Sequence, residues 1–108
     1  MTIGTHNVKF SAMIFNWDDK KNELLKEKRR ISFEEIILCI SEGKLIDILE
    51  HPNKLKYPNQ KIYLVERDNS IYAVPFVEDK ENNQIFLKTI FPTRKYTKKY
   101  LTGGKTNE

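Results

Sequence analysis

The chain has one cysteine and only two histidines among its 108 residues. Cys39 cannot form an internal disulfide, and its place in an apolar stretch with helical spacing favours a buried structural thiol. His6 and His51 lie far apart in the sequence, and with a single cysteine they cannot supply a closed zinc site unaided. We therefore expect no disulfide framework, no metal centre and no other cofactor.

Long apolar segments and glycine-rich loops are also missing. The longest apolar run is Ile36–Ile40, far below the roughly 18 to 20 residues that span a bilayer. The first seven residues show no cationic region followed by an apolar one, so no secretory signal is predicted. Gly103-Gly104 is not followed by a helix, which argues against a nucleotide-binding loop. We expect a cytoplasmic protein that does not bind membranes.

The composition is that of one globular domain. Hydrophobic residues make up 39% of the chain and charged residues 31%, which is ordinary for a soluble fold. A chain of this length buries roughly 60 to 70% of its unfolded surface, enough for one sheet with a few helices. We expect a single domain over residues 1–108 with a shallow site, and flexible ends at 1–7 and 102–108.

Patterning in the first half predicts a strand and two helices. Val8–Trp17 is rich in β-branched and aromatic residues and predicts the first strand. Asp18 or Asp19 can cap a helix over residues 19–30. Ser32–Glu35 matches a capping box, which predicts a second helix that Gly43 ends.

The second half predicts strands and a short terminal helix. Leu45–Leu49 forms a short apolar segment before an exposed loop over Glu50–Gln60. Three closely spaced segments then have the pattern of strands and together predict an antiparallel meander: Lys61–Glu66, Ile71–Val77 and Gln84–Phe91. Pro75 cannot donate to a ladder, so we expect a bulge or an edge there. Arg94–Leu101 follows as a helix that Thr93 can cap. The order β-α-α-β-β-β-β-α predicts an α+β fold with helices packed on one antiparallel sheet.

Positive charge is concentrated at the C-terminal end. From Gln84 onward the only acidic residue is Glu108, so this quarter alone exceeds the net charge of +4 of the whole chain. The cations there are Lys88, Arg94, Lys95, Lys98, Lys99 and Lys105. Such a cluster indicates an anionic partner, although a solubilising tail has the same composition.

Tyrosines interleave with these cations, a pattern typical of RNA binding. Cations hold phosphates, and unpaired bases stack on aromatic rings. RNA cleavage without a metal needs a group that stabilises the phosphorane and groups that transfer protons. Arg94 and Lys88 are candidates for the first role. Lys95, Tyr96, Tyr100 and His51 are candidates for the second, and of these only an imidazole ordinarily titrates near neutral pH. The further RNA-binding candidates are Lys61, Arg67, Tyr96, Lys98 and Lys99.

Structural alternatives exist for several candidates. Tyr96 and Tyr100 are four residues apart, so on a helix they share one face and can close the core. His51 precedes Pro52 and can be a turn residue. Lys98 and Lys99 can steer phosphates without taking part in catalysis.

Short motifs resemble a known family. Phe15–Asn22, followed by Ile31–Glu35, is similar to the start of BrnT-type toxins, members of the RelE-like ribonuclease superfamily. Thr93-Arg94-Lys95 and the tyrosine-ending helix are similar to their terminal block. The segments between them look like a common variant of small toxin proteins: His51–Asn53, Tyr57–Lys61 and Val74–Asp79. The similarity spans Phe15 to Leu101.

The resemblance implies a RelE-like fold and a toxin that inhibits translation by cleaving messenger RNA, free or on the ribosome. It also implies neutralisation by a DNA-binding antitoxin, commonly of ribbon-helix-helix type, in a hetero-oligomer. Arg94 is the residue it best carries over. The chain departs from the pattern at Pro92-Thr93, where a small serine-alanine pair is usual, and the strand over 71–77 ends without the histidine often found there. The general base therefore stays open, and so does the alternative of a non-catalytic small basic module that binds RNA or a protein.

Overall fold

The computed structural model describes residues 7–10 and 13–102 and has an α+β architecture. Its elements in chain order are β1 Asn7–Phe10, β2 Met13–Trp17, α1 Asp19–Arg29, α2 Phe33–Ser41, β3 Leu45–Glu50, β4 Gln60–Arg67, β5 Ser70–Asp79, β6 Gln84–Leu87, β7 Phe91–Pro92 and α3 Arg94–Thr97. A π-helical turn, Lys98–Thr102, continues α3, and the two together are called the terminal helix. The predicted fold class is confirmed. The predicted flexible ends lie outside the described residues, except for Asn7 in β1 and Thr102 in the last turn.

One mixed sheet organises the molecule. Its strand order is β1-β2-β6-β5-β4-β3, and β7 pairs with β5 beyond the end of β6. Every pair is antiparallel except β2 with β6, which is parallel. The prediction of a wholly antiparallel sheet was therefore wrong in this one pair. The hairpin with β5 fixes the direction of β6, and β6 then lies along β2, which runs the same way.

Two predicted strands are divided in the structure. The segment predicted as one strand, Val8–Trp17, forms the hairpin β1–β2, in which Phe10 pairs with Met13. The segment Gln84–Phe91 is interrupted between β6 and β7. The interruption lies opposite Pro75, whose carbonyl accepts a hydrogen bond of 2.8 Å from the Lys88 amide. The amide and the carbonyl of a strand residue point toward the same neighbouring strand. The amide hydrogen that proline lacks would therefore point from Pro75 toward the interruption between β6 and β7.

The helices α1 and α2 cover one face of the sheet, called the helix face. Trp17 is fully buried there, with its ring centroid 5.8 Å from that of Phe33 on α2. The other core side chains on this face include Phe15, Leu25, Ile36, Tyr63, Val65, Val74, Phe76, Ile85 and Leu87. This layer contains most of the hydrophobic core.

Side chains of the sequence motif begin and join the two helices. Asp18 caps α1 by accepting from the Lys20 amide at 3.0 Å, and the predicted capping box of Ser32 and Glu35 is present at the start of α2. The side chain of Asn22, only 2% exposed, accepts from the Phe33 amide and donates to Glu34, both at 2.8 Å. Asn22 therefore ties α1 to the first turn of α2.

The terminal helix packs on the opposite face, called here the terminal-helix face. Leu64, Ile71 and Ala73 are buried under it, with Ile46, Leu49, Ile62, Tyr96, Tyr100 and Leu101 packed around them. The sequence left open whether Tyr96 and Tyr100 help to close the core, and both do pack against this second cluster.

A β-bulge at Ile46 shapes the floor of this face. Leu45 pairs with Val65 while Asp47 pairs with Leu64, so β3 contains one extra residue. A bulge of this kind sends two successive side chains to the same side of the sheet. Ile46 joins the terminal-helix cluster, and the Asp47 carboxylate lies on that face too, where it meets the terminal helix.

Tyr63 makes the stability of the fold sensitive to alkaline pH. Burial, and then the nearby charge of Glu78, raises its pKa from 10.0 to about 12. Between these values the unfolded chain has lost the proton and the folded chain has kept it, so the contribution of Tyr63 is complete below pH 10 and is lost as the pH rises toward 12. Urea unfolding should show that the free energy of unfolding falls less between pH 10 and about 12 in Tyr63→Phe than in wild type. Tyr57→Phe, at an exposed ring, is the control. If the free energy of unfolding falls equally with pH in Tyr63→Phe and in wild type, Tyr63 is not the cause of the alkaline loss of stability.

Candidate nucleic-acid interface

Two threonines hold the start of the terminal helix on the sheet. Thr93 accepts from the Tyr96 amide at 3.3 Å and caps the helix. The Thr97 hydroxyl accepts from the Ile71 amide and donates to the Thr93 carbonyl, both at 2.8 Å. Since Tyr96 and Tyr100 point into the sheet cluster, the cations between them are left on the outer side of the helix.

A cationic cleft of about 740 Å³ lies at this helix start. It is lined by Ser70, Pro92, Thr93, Arg94, Lys95, Thr97 and Lys98. None of these lining residues is acidic, and no acidic residue lies between Glu81 and Glu108 in the sequence. Three cations that converge without a carboxylate among them form a site suited to an anion.

Some other cations of the described residues pair with carboxylates. Lys26 pairs with Glu23 within α1 at 3.2 Å, and Lys54 pairs with Glu50 at 2.7 Å. Within the described ranges, Arg94, Lys95, Lys98 and Lys99 form no ion pair. The cations of the terminal helix are therefore available to an external anion.

The structure brings most of the predicted residues to one face. Arg94, Lys95 and Lys98 line the cationic cleft. Lys99 follows in the next turn, with its ammonium 5.4 Å from the Tyr100 ring centroid. Lys88 is exposed and follows the last residue of β6, outside the residues that line the cleft.

Two predicted RNA-binding residues lie on the other face. Lys61 and Arg67 alternate along β4 with residues that face the terminal helix, so they share the helix face with Tyr63 and Val65. Lys61 pairs with Glu78 at 3.4 Å, and Arg67 pairs with Glu35 of α2 at 3.1 Å. Neither joins the cationic cleft.

His51 organises the turn after β3. Its amide donates to the Gln60 carbonyl at 3.2 Å, its Nδ1 accepts from the Asn53 amide at 3.0 Å, and its ring centroid is 4.5 Å from that of Tyr57. Because Nδ1 accepts, the neutral ring carries its proton on Nε2 and presents a donor there. This geometry matches the turn role considered from the sequence and does not present His51 as a ready proton acceptor.

Tyr100 has a partner that sequence reasoning missed. Its hydroxyl donates to Asp47 Oδ2 at 3.0 Å, and this hydrogen bond is the main cause that raises the Tyr100 pKa. The phenol therefore keeps its proton at neutral pH. Asp47 is recognisable as a partner only in the folded chain, because Tyr100 lies 53 residues away in the sequence.

A second depression, the aromatic groove, adjoins the cleft. Its volume is about 240 Å³, and it is lined by Leu49, Glu50, Pro52, Ile62, Leu64, Ala73, Phe91, Thr93 and Tyr96. Phe91 is 37% exposed, and it was not among the predicted residues. Thr93 lines both the groove and the cleft.

Other chemistry has little support in the described residues. No group of three or more histidine, cysteine, aspartate or glutamate side chains in them is arranged to hold a metal ion. Cys39 is half-buried against the helix-side core, and burial raises the pKa of its thiol. None of the helices described has the length and apolar character needed to cross a membrane.

Comparisons with protein-family models, with curated proteins and with solved structures find no match to the chain.

Proposed function

We propose that this chain is a metal-independent endoribonuclease, the toxin of a type II toxin–antitoxin pair, which binds RNA on its terminal-helix face. The observation that carries the proposal is the cleft in which Arg94, Lys95 and Lys98 converge with no acidic residue. Phosphate groups are the anions that such clusters commonly hold, and the neighbouring tyrosines suit an RNA ligand.

Cleavage on this surface depends mainly on electrostatic stabilisation. As the 2′-hydroxyl loses its proton to water and its oxygen attacks the adjacent phosphorus, negative charge builds up on the phosphorane oxygens; the bond to the 5′-oxygen then breaks and that oxygen takes up a proton, which gives a 2′,3′-cyclic phosphate and a 5′-hydroxyl. Arg94 and Lys95 donate hydrogen bonds to those oxygens, Lys98 holds a neighbouring phosphate, and Lys88, outside the cleft, is left for a more distant one. Removing one such donor typically costs about 10²- to 10³-fold in rate. Tyr100, protonated at neutral pH, can act as a proton donor and not as a base.

The proposal includes the partners implied by the family resemblance. The substrate is messenger RNA in the cytosol, free or on the ribosome. The antitoxin, a DNA-binding protein of ribbon-helix-helix type, would neutralise the toxin with an acidic or amphipathic segment that covers the cations of the terminal helix. A complex that left the Arg94 surface open would contradict neutralisation by occlusion.

Expression without antitoxin tests the activity directly. We expect growth arrest and new 5′ ends in total RNA, and we expect the purified protein to cut messenger RNA in the presence of a metal chelator, with or without ribosomes. Harmless expression of folded protein, together with intact RNA in both assays, would overturn the proposal.

A non-catalytic basic binding module is the second candidate. One observation favours it: Tyr100 is already hydrogen-bonded to Asp47 and His51 Nδ1 to the Asn53 amide, so neither of these two candidates for proton transfer is unengaged. This candidate predicts RNA binding that weakens steeply with salt, without cleavage.

A further inference from the structure

We infer that the aromatic groove is a binding pocket for one unpaired nucleobase of the strand whose phosphates occupy the cationic cleft. The inference rests on the proposed RNA-binding function and adds to it a requirement for single-stranded RNA. It assigns a role to Phe91, which has no part in the chemistry above.

The groove exists because a small residue lies beside a large exposed one. Ala73 on β5 pairs directly with Phe91 on β7, so the two side chains lie on the same face of the sheet. With only a methyl group at position 73, a depression remains between Phe91, Tyr96 and the β3 end, and Ile62 is its partly exposed floor. The floor is apolar and the walls include two aromatic rings.

Continuity with the cleft identifies the occupant. Phe91 lines the groove, Thr93 lines both depressions, and Arg94 lines the cleft, so three nearly consecutive residues pass from an aromatic surface to a cationic one. A nucleotide has the same succession of a flat aromatic base and an anionic phosphate. Charge complementarity at the cleft and ring surface at the groove therefore select nucleic acid over a purely apolar ligand.

The form of the groove also selects the state of the strand. A base inside a duplex is stacked and paired, and it cannot enter a pocket between protein side chains without being unpaired. An unpaired base can stack on Phe91 or Tyr96 whatever its identity, because every base has an aromatic face. The pocket should favour single strands over duplexes with little sequence preference.

Binding of uncleavable strands tests the pocket apart from catalysis. The probes are a fluorescent 2′-O-methyl RNA strand, an abasic strand of the same length and charge, and the corresponding duplex, followed by anisotropy at several salt concentrations. The variants are Phe91→Ala and the conservative Phe91→Tyr. Leu38→Ala, which removes an exposed apolar side chain from α2 (56% exposed), is the matched control, and thermal unfolding checks that each variant is folded.

Wild type should bind the base-bearing strand on the order of tenfold more tightly than the abasic strand, as expected for one stacked base, and more tightly than the duplex. Phe91→Ala should remove this preference and leave the abasic affinity and its salt dependence unchanged. Phe91→Tyr and Leu38→Ala should keep the preference.

Two outcomes overturn the inference, and they differ in what they say of the proposed function. Equal, salt-dependent binding of base-bearing and abasic strands, or a Phe91→Ala variant that retains the preference, would exclude the pocket while leaving RNA binding intact. No salt-dependent binding of either strand by folded wild type would overturn both the pocket and the proposed function.

Discussion

Replacing Arg94 with alanine is expected to lower RNA cleavage about 10²- to 10³-fold, the usual cost of losing one donor to a charged transition state, and to abolish growth arrest. The guanidinium is exposed, lines the cationic cleft and pairs with no carboxylate of the described residues. It is the one donor there with a planar fork that matches two phosphate oxygens at once. The measurement is the rate of cutting by purified protein, together with growth after induction.

The same substitution should leave the fold intact. Substitutions of exposed residues away from caps and buried networks usually change the free energy of unfolding by less than about 0.5 kcal/mol. Lys28→Ala on α1 is the matched control, because it removes an exposed cation outside the cleft and should cut RNA at the wild-type rate. Arg94→Ala should also reduce the salt dependence of RNA binding by about one phosphate contact. A folded Arg94→Ala protein that cleaves as fast as wild type would remove Arg94 from the site.

Asn22→Ala is expected to lower the free energy of unfolding by about 2 to 3 kcal/mol, because it leaves the buried Phe33 amide without an acceptor and removes a hydrogen bond to a charged group. Asn22 is 2% exposed and joins α1 to α2 through both ends of its amide. Urea unfolding measures the effect. Lys20→Ala, at an exposed position of the same helix, should change stability by less than about 0.5 kcal/mol.

The effect of Asn22→Ala should depend on pH. Burial alone would raise the Glu34 pKa, but hydrogen bonds, first that from Asn22, outweigh it and hold the pKa below its usual value. A carboxylate with a lowered folded-state pKa adds stability above its unfolded pKa and loses it as the pH falls through the folded value. The difference between wild type and Asn22→Ala should therefore narrow in acid. If the difference in the free energy of unfolding stays constant from neutral to acidic pH, Asn22 does not lower the pKa of Glu34.

Local signals in the sequence predicted the helical half of the fold well. Aspartate before α1 and the capping box before α2 act within one turn of chain, so their effect does not depend on distant residues. The same motif residues carry the family resemblance, and the structure shows them holding helices together: Trp17 fills the core and Asn22 joins the helices. These motif residues therefore account for packing, and the activity of the protein has to be tested by changing residues of the terminal-helix face.

Long-range pairing set the features that sequence patterns missed. Alternation of residue types cannot show that Val8–Trp17 reverses into a hairpin, or that β6 lies parallel to β2, since neither depends on local composition. The cations illustrate the same limit. Those of the terminal helix were found because they lie close together in the sequence, whereas the sheet places Lys61 and Arg67 on the helix face. Phe91 and Asp47 gain their positions from a two-residue strand and a bulge.

The bulge at Ile46 also affects how the molecule meets its own copies. It interrupts β3, which forms one edge of the sheet. An exposed edge presents a row of unpaired amides and carbonyls to which a strand of another chain can add, and an extra residue spoils the even spacing that such addition requires. The bulge thus protects this edge from strand-to-strand aggregation, so straightening β3 by deleting Ile46 is expected to expose a regular edge.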